Sequence, residues 1–232
     1  MYQYETHMHT SPVSYCASVS PEEQVRAYKD RGYAGIIVTD HFFNGNSACP
    51  KGLSWEDAAA FFLSGYERAK TEGDKIGLDV FFGMEYAVFG TEFLTYGLTP
   101  EFVRTNPAMD KLSPREFSAL VRANGAYLAQ AHPYRTGSWI QNPYPVDPAL
   151  IDGVEIYNVC SGNETTNGMA RQFARRHKLP AQAGTDSHSA ELPFTSGIAL
   201  REKARNIFDI IEAIKTGRAE LMIPEDTHGS IR

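Results

Sequence analysis

Short apolar runs alternate with longer amphipathic stretches along most of the chain. The runs have the composition of strands that are buried on both faces, as in a parallel sheet, and they cover residues 35–40, 78–85, 126–132, 153–158 and 180–184. The first ten residues alternate aromatic and polar side chains, which predicts one more strand, and residues 93–96 and 198–200 indicate two short ones. Together the runs predict a parallel sheet that is either open or closed into a barrel.

The stretches between these runs carry the signals that begin helices. Residues 20–23 and 113–116 each combine a serine cap, a proline in the first helical position and a glutamate that completes a capping box. Further helices are predicted at about 55–71, 164–177 and 204–216. In folds that alternate strands and helices, ligands bind at the C-terminal ends of the strands. The residues at those ends are therefore the first candidates for a functional site.

The composition, with 42% hydrophobic and 22% charged residues among 232, is that of a globular protein. We expect a single domain over residues 1–232, with the tail after about residue 224 at its periphery. The net charge of −6 argues against nucleic acid as a partner held by overall charge. The sequence leaves the oligomeric state open.

The cysteines and the lack of a membrane signal indicate a cytoplasmic protein. Cys16, Cys49 and Cys160 are odd in number and scattered, which does not fit a disulfide framework. The first residues lack the pattern of a signal peptide, and no apolar run approaches the roughly 20 residues that span a membrane. We therefore expect a cytoplasmic location and no membrane partner.

Five of the seven histidines fall at the ends of predicted strands, together with several carboxylates. The set comprises His7, His9, Asp40, His41, Glu85, His132, Asn158, Asp186 and His188. His7 and His9 are two residues apart, so on an extended strand both side chains point the same way and can bind one ion. Imidazole and carboxylate donors suit zinc, manganese or iron, and the size of the set predicts more than one ion.

Each residue of the set also has a structural interpretation. Asp40 is explained about equally well as a capping residue, and Asn158 as a turn residue. The others are explained as polar residues at strand ends or in loops. The two remaining histidines, His177 and His228, are interpreted as surface residues. The predicted metal site therefore depends on the set as a whole.

Five motifs occur in an order that resembles the polymerase and histidinol phosphatase (PHP) family of metal-dependent phosphoesterases. They are H-x-H at 7–9, T-D-H at 39–41, G-x-E at 83–85, A-H-P at 131–133 and D-x-H at 186–188. The resemblance implies an α/β fold, a distorted (β/α)7 TIM-like barrel with the metal site at the C-terminal ends of its strands. It also implies two or three divalent transition-metal ions, zinc, manganese or iron.

Carried over by position, the resemblance implies three metal positions. The implied ligands are His7, His9, Glu85 and Asp186 for the first metal, Glu85 and His132 for the second, and His41 and His188 for the third. Asp40 would then lie behind the ligands and hold an imidazole or a strand end.

The chain departs from the family pattern in two places. The loop after H-x-H often carries an aspartate that binds the third metal, and Cys16 stands at that position here. Cys16 is a candidate ligand, since thiolates bind zinc and iron, and a small buried thiol is the alternative. Many members also have a histidine between G-x-E and A-H-P, whereas no histidine lies between Glu85 and His132. The second metal is thus short of one ligand.

The implied reaction is hydrolysis of a small phosphomonoester or phosphodiester by a metal-bridged hydroxide. Arg135 is a candidate for binding phosphate oxygens, with a solvated loop arginine as the alternative. Asp40 is the other catalytic candidate, and the proton shuttle is left open among Asp40, His41 and His188. The loops 42–52 and 134–147, with Tyr134, Trp139 and Tyr144, are expected to line the pocket.

Two other functions remain open at this stage. A metal-dependent C–N hydrolase of the amidohydrolase kind would use a similar first motif, although its later strands usually carry other ligands. A non-catalytic metal-binding domain is the second alternative. The sequence identifies neither the substrate nor the metal.

Overall fold

The structure is a computed structural model, and it describes residues 1–138, 140, 143–160, 162–191 and 195–224. The strands in this part are β1 (Tyr2–Glu5), β2 (Gly35–Val38), β3 (Asp79–Val88), β4 (Thr91–Tyr96), β5 (Tyr127–Gln130), β6 (Gly153–Asn158), β7 (Ala181–Gly184), β8 (Gly197–Leu200) and β9 (Glu220–Met222). The α-helices are α1 (Pro21–Asp30), α2 (Trp55–Ile76), α3 (Pro100–Thr105), α4 (Pro114–Ala123), α5 (Glu164–His177) and α6 (Ile207–Lys215). Short 3-10 helices lie at Met109–Lys111 and Pro148–Leu150.

The strands β1 to β7 follow one another in the sheet and form a nearly closed barrel. β1, β2 and β3 are parallel, as are β5, β6 and β7, and β4 is antiparallel to both of its neighbours. Beyond the ends of β7 and β1, the N–H of Asp186 donates to the His7 carbonyl at 2.8 Å, and the N–H of His9 donates to the Ser187 carbonyl at 2.9 Å. These bonds join the two edges, so the predicted distorted seven-stranded barrel is confirmed.

The antiparallel strand β4 is the main distortion of the barrel. It follows β3 through the two-residue turn Phe89-Gly90, whose φ angles are 52° and 84°. Positive φ at both positions is the geometry of a type I′ hairpin. β8 pairs antiparallel with β1, and β9 pairs with β8. The sequence indicated only a short strand at 93–96 and did not indicate β9.

Four of the five helix starts predicted from the sequence are confirmed, and the last helix starts at Ile207 instead of residue 204. Ser20 caps α1 and Ser113 caps α4, both with complete capping boxes. α2 is longer than predicted and ends at Gly77, which adopts the left-handed conformation. α6 begins at Ile207 because the Asn206 side chain accepts from the first free N–H groups. In the part of the chain that the structure describes, no helix has the length and apolar character needed to cross a membrane.

The amphipathic helices pack their apolar faces against the sheet. On α1, Val25 and Tyr28 are fully buried and pack in one cluster with Ile36 and Val38 of β2. A fully buried apolar side chain contributes about 1.5–3 kcal/mol to folding. This burial offsets the cost of collecting many charged groups at one end of the barrel.

The first strand is shorter than the sequence predicts. Regular pairing of β1 with β2 ends at Glu5, whose side chain accepts from the N–H of Thr6 at 2.9 Å and of His7 at 2.8 Å. Those two N–H groups therefore do not donate to a neighbouring strand. The next residues pair instead with the segment after β7. This local change places His7 and His9 where the two segments meet.

Candidate metal centre

Four buried side chains converge at the C-terminal ends of the strands. Nε2 of His7, Nε2 of His9 and Oδ1 of Asp186 form a triangle with sides of 3.2, 3.2 and 3.3 Å. Each imidazole nitrogen also lies 3.4 Å from an oxygen of Glu85. Atoms that bind one transition-metal ion at about 2.0–2.2 Å lie roughly 3–4 Å from one another. The structure thus brings together the four ligands predicted for the first metal.

A buried carboxylate of β6 fixes the ring of His7. One oxygen of Glu155 accepts from His7 Nδ1–H at 2.9 Å. The other oxygen accepts from the N–H of His132 at 2.9 Å and from Nδ2 of Asn158 at 2.9 Å. Because Nδ1 of His7 donates to Glu155, Nε2 is the nitrogen left to bind a metal, an arrangement typical of metal-binding histidines. Asn158, also a sequence candidate, supports this carboxylate and donates to Asp186 as well.

Asp40 lies behind the convergent side chains. Its carboxylate accepts from the N–H and the hydroxyl of Thr10, both at 2.6 Å, and from the Ser14 hydroxyl at 2.7 Å. Burial raises the pKa of Asp40 to about 6, despite these hydrogen bonds. The contacts fit the positioning role that the family resemblance implies. A catalytic role for Asp40 stays a prediction.

Glu85 also faces the residues predicted for the other metal positions. Its Oε1 lies 3.1 Å from His132 Nε2, and its Oε2 lies 2.8 Å from His41 Nδ1. Apart from this contact with each other, His41 Nδ1 and Glu85 Oε2 are buried without a hydrogen-bond partner among the described residues. Imidazole and carboxylate donors gathered in this way are those that bind transition-metal ions. The residues present therefore fit a group of metal ions.

Three imidazoles form the side of the centre predicted for the third metal. The nitrogens of His9, His41 and His188 lie within 4.8 Å of one another. His188 Nδ1 is 2.6 Å from the Asp186 carbonyl oxygen, so this nitrogen donates and leaves Nε2 available. Cys16 is solvent-exposed and interacts with His188 and His41. Burial raises the pKa of its thiol, but these two imidazoles bring it down to about 7, which favours the thiolate that a metal binds.

The protonation states of His9, Glu85 and Asp186 suit metal binding. Burial and the neighbouring imidazoles, His41 first, hold the pKa of His9 well below its usual range, so its ring is neutral near pH 7. Burial alone would raise the pKa of Glu85 and of Asp186. The surrounding imidazoles outweigh burial and hold both pKa values well below the usual range. Both carboxylates are therefore charged where they face the histidines.

Two of the candidate ligands have a strained backbone. His132 has φ of 25° and Asp186 has φ of 55°, in the region that favours glycine. Such conformations cost on the order of 1–3 kcal/mol each and occur often at functional sites. Here they turn the chain at the end of a strand and bring each side chain to the centre. Neither strain is visible in the sequence pattern.

Arg135 lies beside the centre but is paired with a carboxylate. Its Nη2 contacts Oε2 of Glu92, a buried residue of β4. The same carboxylate oxygen lies 3.6 Å from His132 Nε2, and the other lies 3.9 Å from His41 Nδ1. Phosphate binding by Arg135 stays a prediction, and the structure assigns this arginine a carboxylate partner that sequence analysis did not anticipate.

Aromatic residues line the space next to the centre. Tyr134 and Tyr144 border a cavity of about 630 Å³ and also a small crevice that reaches His132 and Glu92. The position of these two tyrosines fits the expected pocket lining. Trp139, the third aromatic residue in that expectation, lies outside the described residues, as does His228 of the tail.

Sequence analysis missed four residues of this region: Glu5, Ser14, Glu92 and Glu155. Glu155 and Glu92 interrupt apolar strands, and a carboxylate in a buried run has to be paired. The sequence therefore carries a signal for Glu92 and Glu155. Ser14 gives no signal, because it is one of several serines in the same loop.

Comparisons with known proteins support the resemblance seen in the motifs. The model of the PHP-associated family matches residues 164–219. A search of curated protein sequences found no match. The fold, in contrast, is shared with several solved structures.

Three of these structures show the range of proteins with this fold. A two-domain protein from Bacteroides vulgatus that contains a predicted PHP-like metal-dependent phosphoesterase has a TM-score of 0.71 and 16% identity, over 96% of this chain and 64% of that chain. An amidohydrolase from Chromobacterium violaceum has a TM-score of 0.54 and 14% identity, over 94% and 98%. The lesion-specific endonuclease PfuEndoQ from Pyrococcus furiosus has a TM-score of 0.58 and 15% identity, over 96% and 58%. This chain thus spans less than two thirds of the Bacteroides and Pyrococcus proteins.

Proposed function

We propose that this chain is a metal-dependent phosphoesterase of the PHP family, which its motifs, the match of the PHP-associated model to residues 164–219 and its fold support. The proposed reaction is hydrolysis of a small phosphomonoester or phosphodiester. The observation that carries the proposal is the convergence of His7 and His9 with Glu85 and Asp186, in which Nε2 of each imidazole lies 3.2–3.4 Å from the other imidazole and from both carboxylates.

The proposed cofactors are two or three divalent ions, zinc, manganese or iron. When bound, such ions make hydroxide available near neutral pH and offset the negative charge of a phosphate ester. The ligands for the first ion would be the four convergent side chains. His132 with Glu85, and His41 with His188, would serve the other positions, with Cys16 as a candidate beside the latter pair.

The protein's own contribution is to hold these side chains in place. Glu155 and Ser14 fix the rings of His7 and His9, and burial keeps competing water away from both. Arg135 and the tyrosines of the neighbouring crevice border the place where a substrate would enter. Preorganised ligands spend little free energy on rearrangement when the transition state forms.

Two other substrate classes are alternatives to a small phosphate ester. The amidohydrolase from Chromobacterium shares this fold, so C–N hydrolysis is the second candidate. The endonuclease from Pyrococcus also shares it, so the net charge of the chain does not rule out a nucleic-acid diester. A non-catalytic metal-binding role would retain the ligands without turnover.

The first experiment combines elemental analysis with a substrate panel. We expect two or three transition-metal ions per chain, and turnover of p-nitrophenyl phosphate or of bis-p-nitrophenyl phosphate. Asp186→Ala is expected to lose metal and turnover and to remain folded. An abasic-site oligonucleotide and a set of amides test the other substrate classes. Failure of the metal-loaded protein to cleave any ester would exclude the proposal, as would full turnover by metal-depleted Asp186→Ala.

A further inference from the structure

The second metal position lacks a histidine that the motif pattern leads one to expect. No histidine lies in the interval between Glu85 and His132. The structure shows which side chain of that interval reaches the centre. Glu92 of β4 is 7% exposed and extends toward the metal centre.

The hairpin of β3 and β4 explains how Glu92 comes to lie there. In the antiparallel register, Ala87 is paired with Glu92. Ala87 is two residues from Glu85, so both side chains leave the sheet on the same face. Directly paired residues also share a face. Glu92 therefore lies on the face of Glu85, one diagonal step away, and the strand geometry alone puts the two carboxylates together.

The contacts of Glu92 are those of a ligand to a shared ion. Its Oε2 lies 3.6 Å from His132 Nε2, and its Oε1 lies 3.9 Å from His41 Nδ1. Oxygens and nitrogens of Glu92, Glu85 and His41 lie within 4.8 Å of one another. The facing atoms His41 Nδ1 and Glu85 Oε2 contact each other at 2.8 Å and have no other hydrogen-bond partner in the described part of the chain. This buried group of imidazoles and carboxylates has the donor types that bind a transition-metal ion.

The pairing of Glu92 with Arg135 does not by itself account for this arrangement. Arg135 contacts Oε2, which also faces His132, while Oε1 faces His41. The pair with Arg135 leaves buried Glu92 on the same face as a second buried carboxylate, Glu85, and like charges repel. A cation between Glu85 and Glu92 would remove that repulsion. Arg135 then serves to orient Glu92.

We propose that Glu92 is the missing ligand of the second metal position, together with Glu85 and His132, and that Arg135 holds it in place. The proposal rests on the metal-dependent function proposed above and specifies its ligand set. A carboxylate in place of an imidazole makes the donor set richer in oxygen, which reduces the advantage of zinc over manganese. We therefore expect the second position to discriminate less against Mn²⁺ than a site with a second imidazole would.

Two substitutions of Glu92 test the proposal by metal binding rather than by turnover. Glu92→Gln removes the charged ligand and is nearly the same size. We expect one ion fewer per chain, or an affinity for Mn²⁺ at that position lower by on the order of 100-fold, since loss of an outer partner alone costs 10–100-fold. Glu92→His supplies an imidazole. We expect it to retain the number of ions and to raise the affinity for Zn²⁺ relative to that for Mn²⁺.

Glu72→Gln is the matched control. Glu72 is 6% exposed and paired with Arg26 at 2.7 Å, so it too is a buried carboxylate held by an arginine, but it lies on α2 away from the centre. The measurements are elemental analysis after dialysis and competitive titration of Mn²⁺ and Zn²⁺, with circular dichroism as the check of folding. Unchanged stoichiometry and Mn²⁺ affinity in folded Glu92→Gln would overturn the proposal, as would an equal loss in Glu72→Gln.

The outcomes separate this proposal from the proposed function. If the wild type binds its ions and Glu92→Gln loses one, the ligand assignment holds even where no ester is hydrolysed. If esters are hydrolysed and Glu92→Gln keeps every ion, the function holds and the ligand assignment is wrong.

Discussion

Ser14 Oγ lies 3.0 Å from His9 Nδ1, and this contact determines which nitrogen of His9 faces the metal centre. The Ser14 hydroxyl donates its proton to Asp40 at 2.7 Å, so it can only accept from the ring. His9 Nδ1 must then carry the proton and Nε2 the lone pair. The N–H of His41 uses the second acceptor position of the same hydroxyl at 3.0 Å. One serine thus orients two candidate ligands.

Ser14→Ala is expected to weaken metal binding while the protein stays folded. The substitution leaves His9 free to rotate or to change tautomer, and loss of such a supporting partner typically costs 10–100-fold in metal affinity. The measurement is competitive metal titration at neutral pH. Ser118→Ala is the control. Ser118 lies on α4 outside the centre, is buried, and donates its hydroxyl proton to the Leu150 carbonyl at 2.6 Å. Equal affinities in the two variants would show that the Ser14 hydroxyl has no role in ligand orientation.

The sequence predicted the ligands better than it predicted what supports them. His7 and His9 are recognisable because two residues on one strand face share a direction, and the carboxyl ends of parallel strands collect at one edge. These rules depend on spacing alone. The contacts of Glu155 with His7 and of Ser14 with Asp40 join residues 148 and 26 positions apart, which the folded barrel brings together. The contact of Ser14 with His9 spans only five positions, but it depends on the course of an irregular loop.

The elements of the fold also divide into those that nearby residues determine, which the sequence predicts, and those that it does not predict. Capping boxes and apolar runs are local, and the elements that they predict are present. The antiparallel course of β4 depends on the turn at Phe89-Gly90, which the apolar pattern does not encode. The end of β1 depends on Glu5 bonding its own neighbours. Both features place residues of the centre, Glu92 and His7, so the unpredicted parts of the fold lie next to the site.

Gly65→Ala is expected to damage the metal centre from the helix side. Alanine normally stabilises a helix relative to glycine by about 1 kcal/mol. A Cβ at Gly65 of α2 would lie 2.3 Å from Asp40 Oδ2 and 2.6 Å from Thr10 Oγ1, so this pair would have to move. We expect a lower melting temperature and weaker metal binding, because Asp40 and Ser14 support His9.

Gly168→Ala is the matched control, and unlike Gly65→Ala it is expected to raise the melting temperature. Nothing lies within 4 Å of a Cβ at Gly168 of α5, so the ordinary gain of about 0.5–1 kcal/mol is expected. Thermal unfolding of both variants, with and without metal, measures the difference. Equal stabilisation by the two substitutions would mean that α2 moves away from Asp40 at no cost.

The stability of the metal-free protein should fall as the pH rises through the range set by Glu5. Burial raises the pKa of Glu5 from 4.5 to about 7, although backbone and hydroxyl groups donate to it. Between these values the folded state keeps a proton that the unfolded state releases, so unfolding is favoured by increasing pH. The stabilisation is complete below about pH 4.5 and lost above about pH 7. This contribution of Glu5 to the free energy of unfolding is on the order of 2–4 kcal/mol.

Glu5→Gln isolates this contribution. The amide oxygen can accept from the N–H groups of His7 and Thr185, which now bond Glu5 Oε1 at 2.8 and 3.0 Å, and the amide does not titrate in this range. We expect urea unfolding of chelator-treated protein to show a steep loss of stability between pH 4.5 and 7 in the wild type and a smaller slope in the variant. Parallel slopes in the two proteins would assign the pH dependence to other groups, because Glu5 would then titrate alike in the folded and unfolded states.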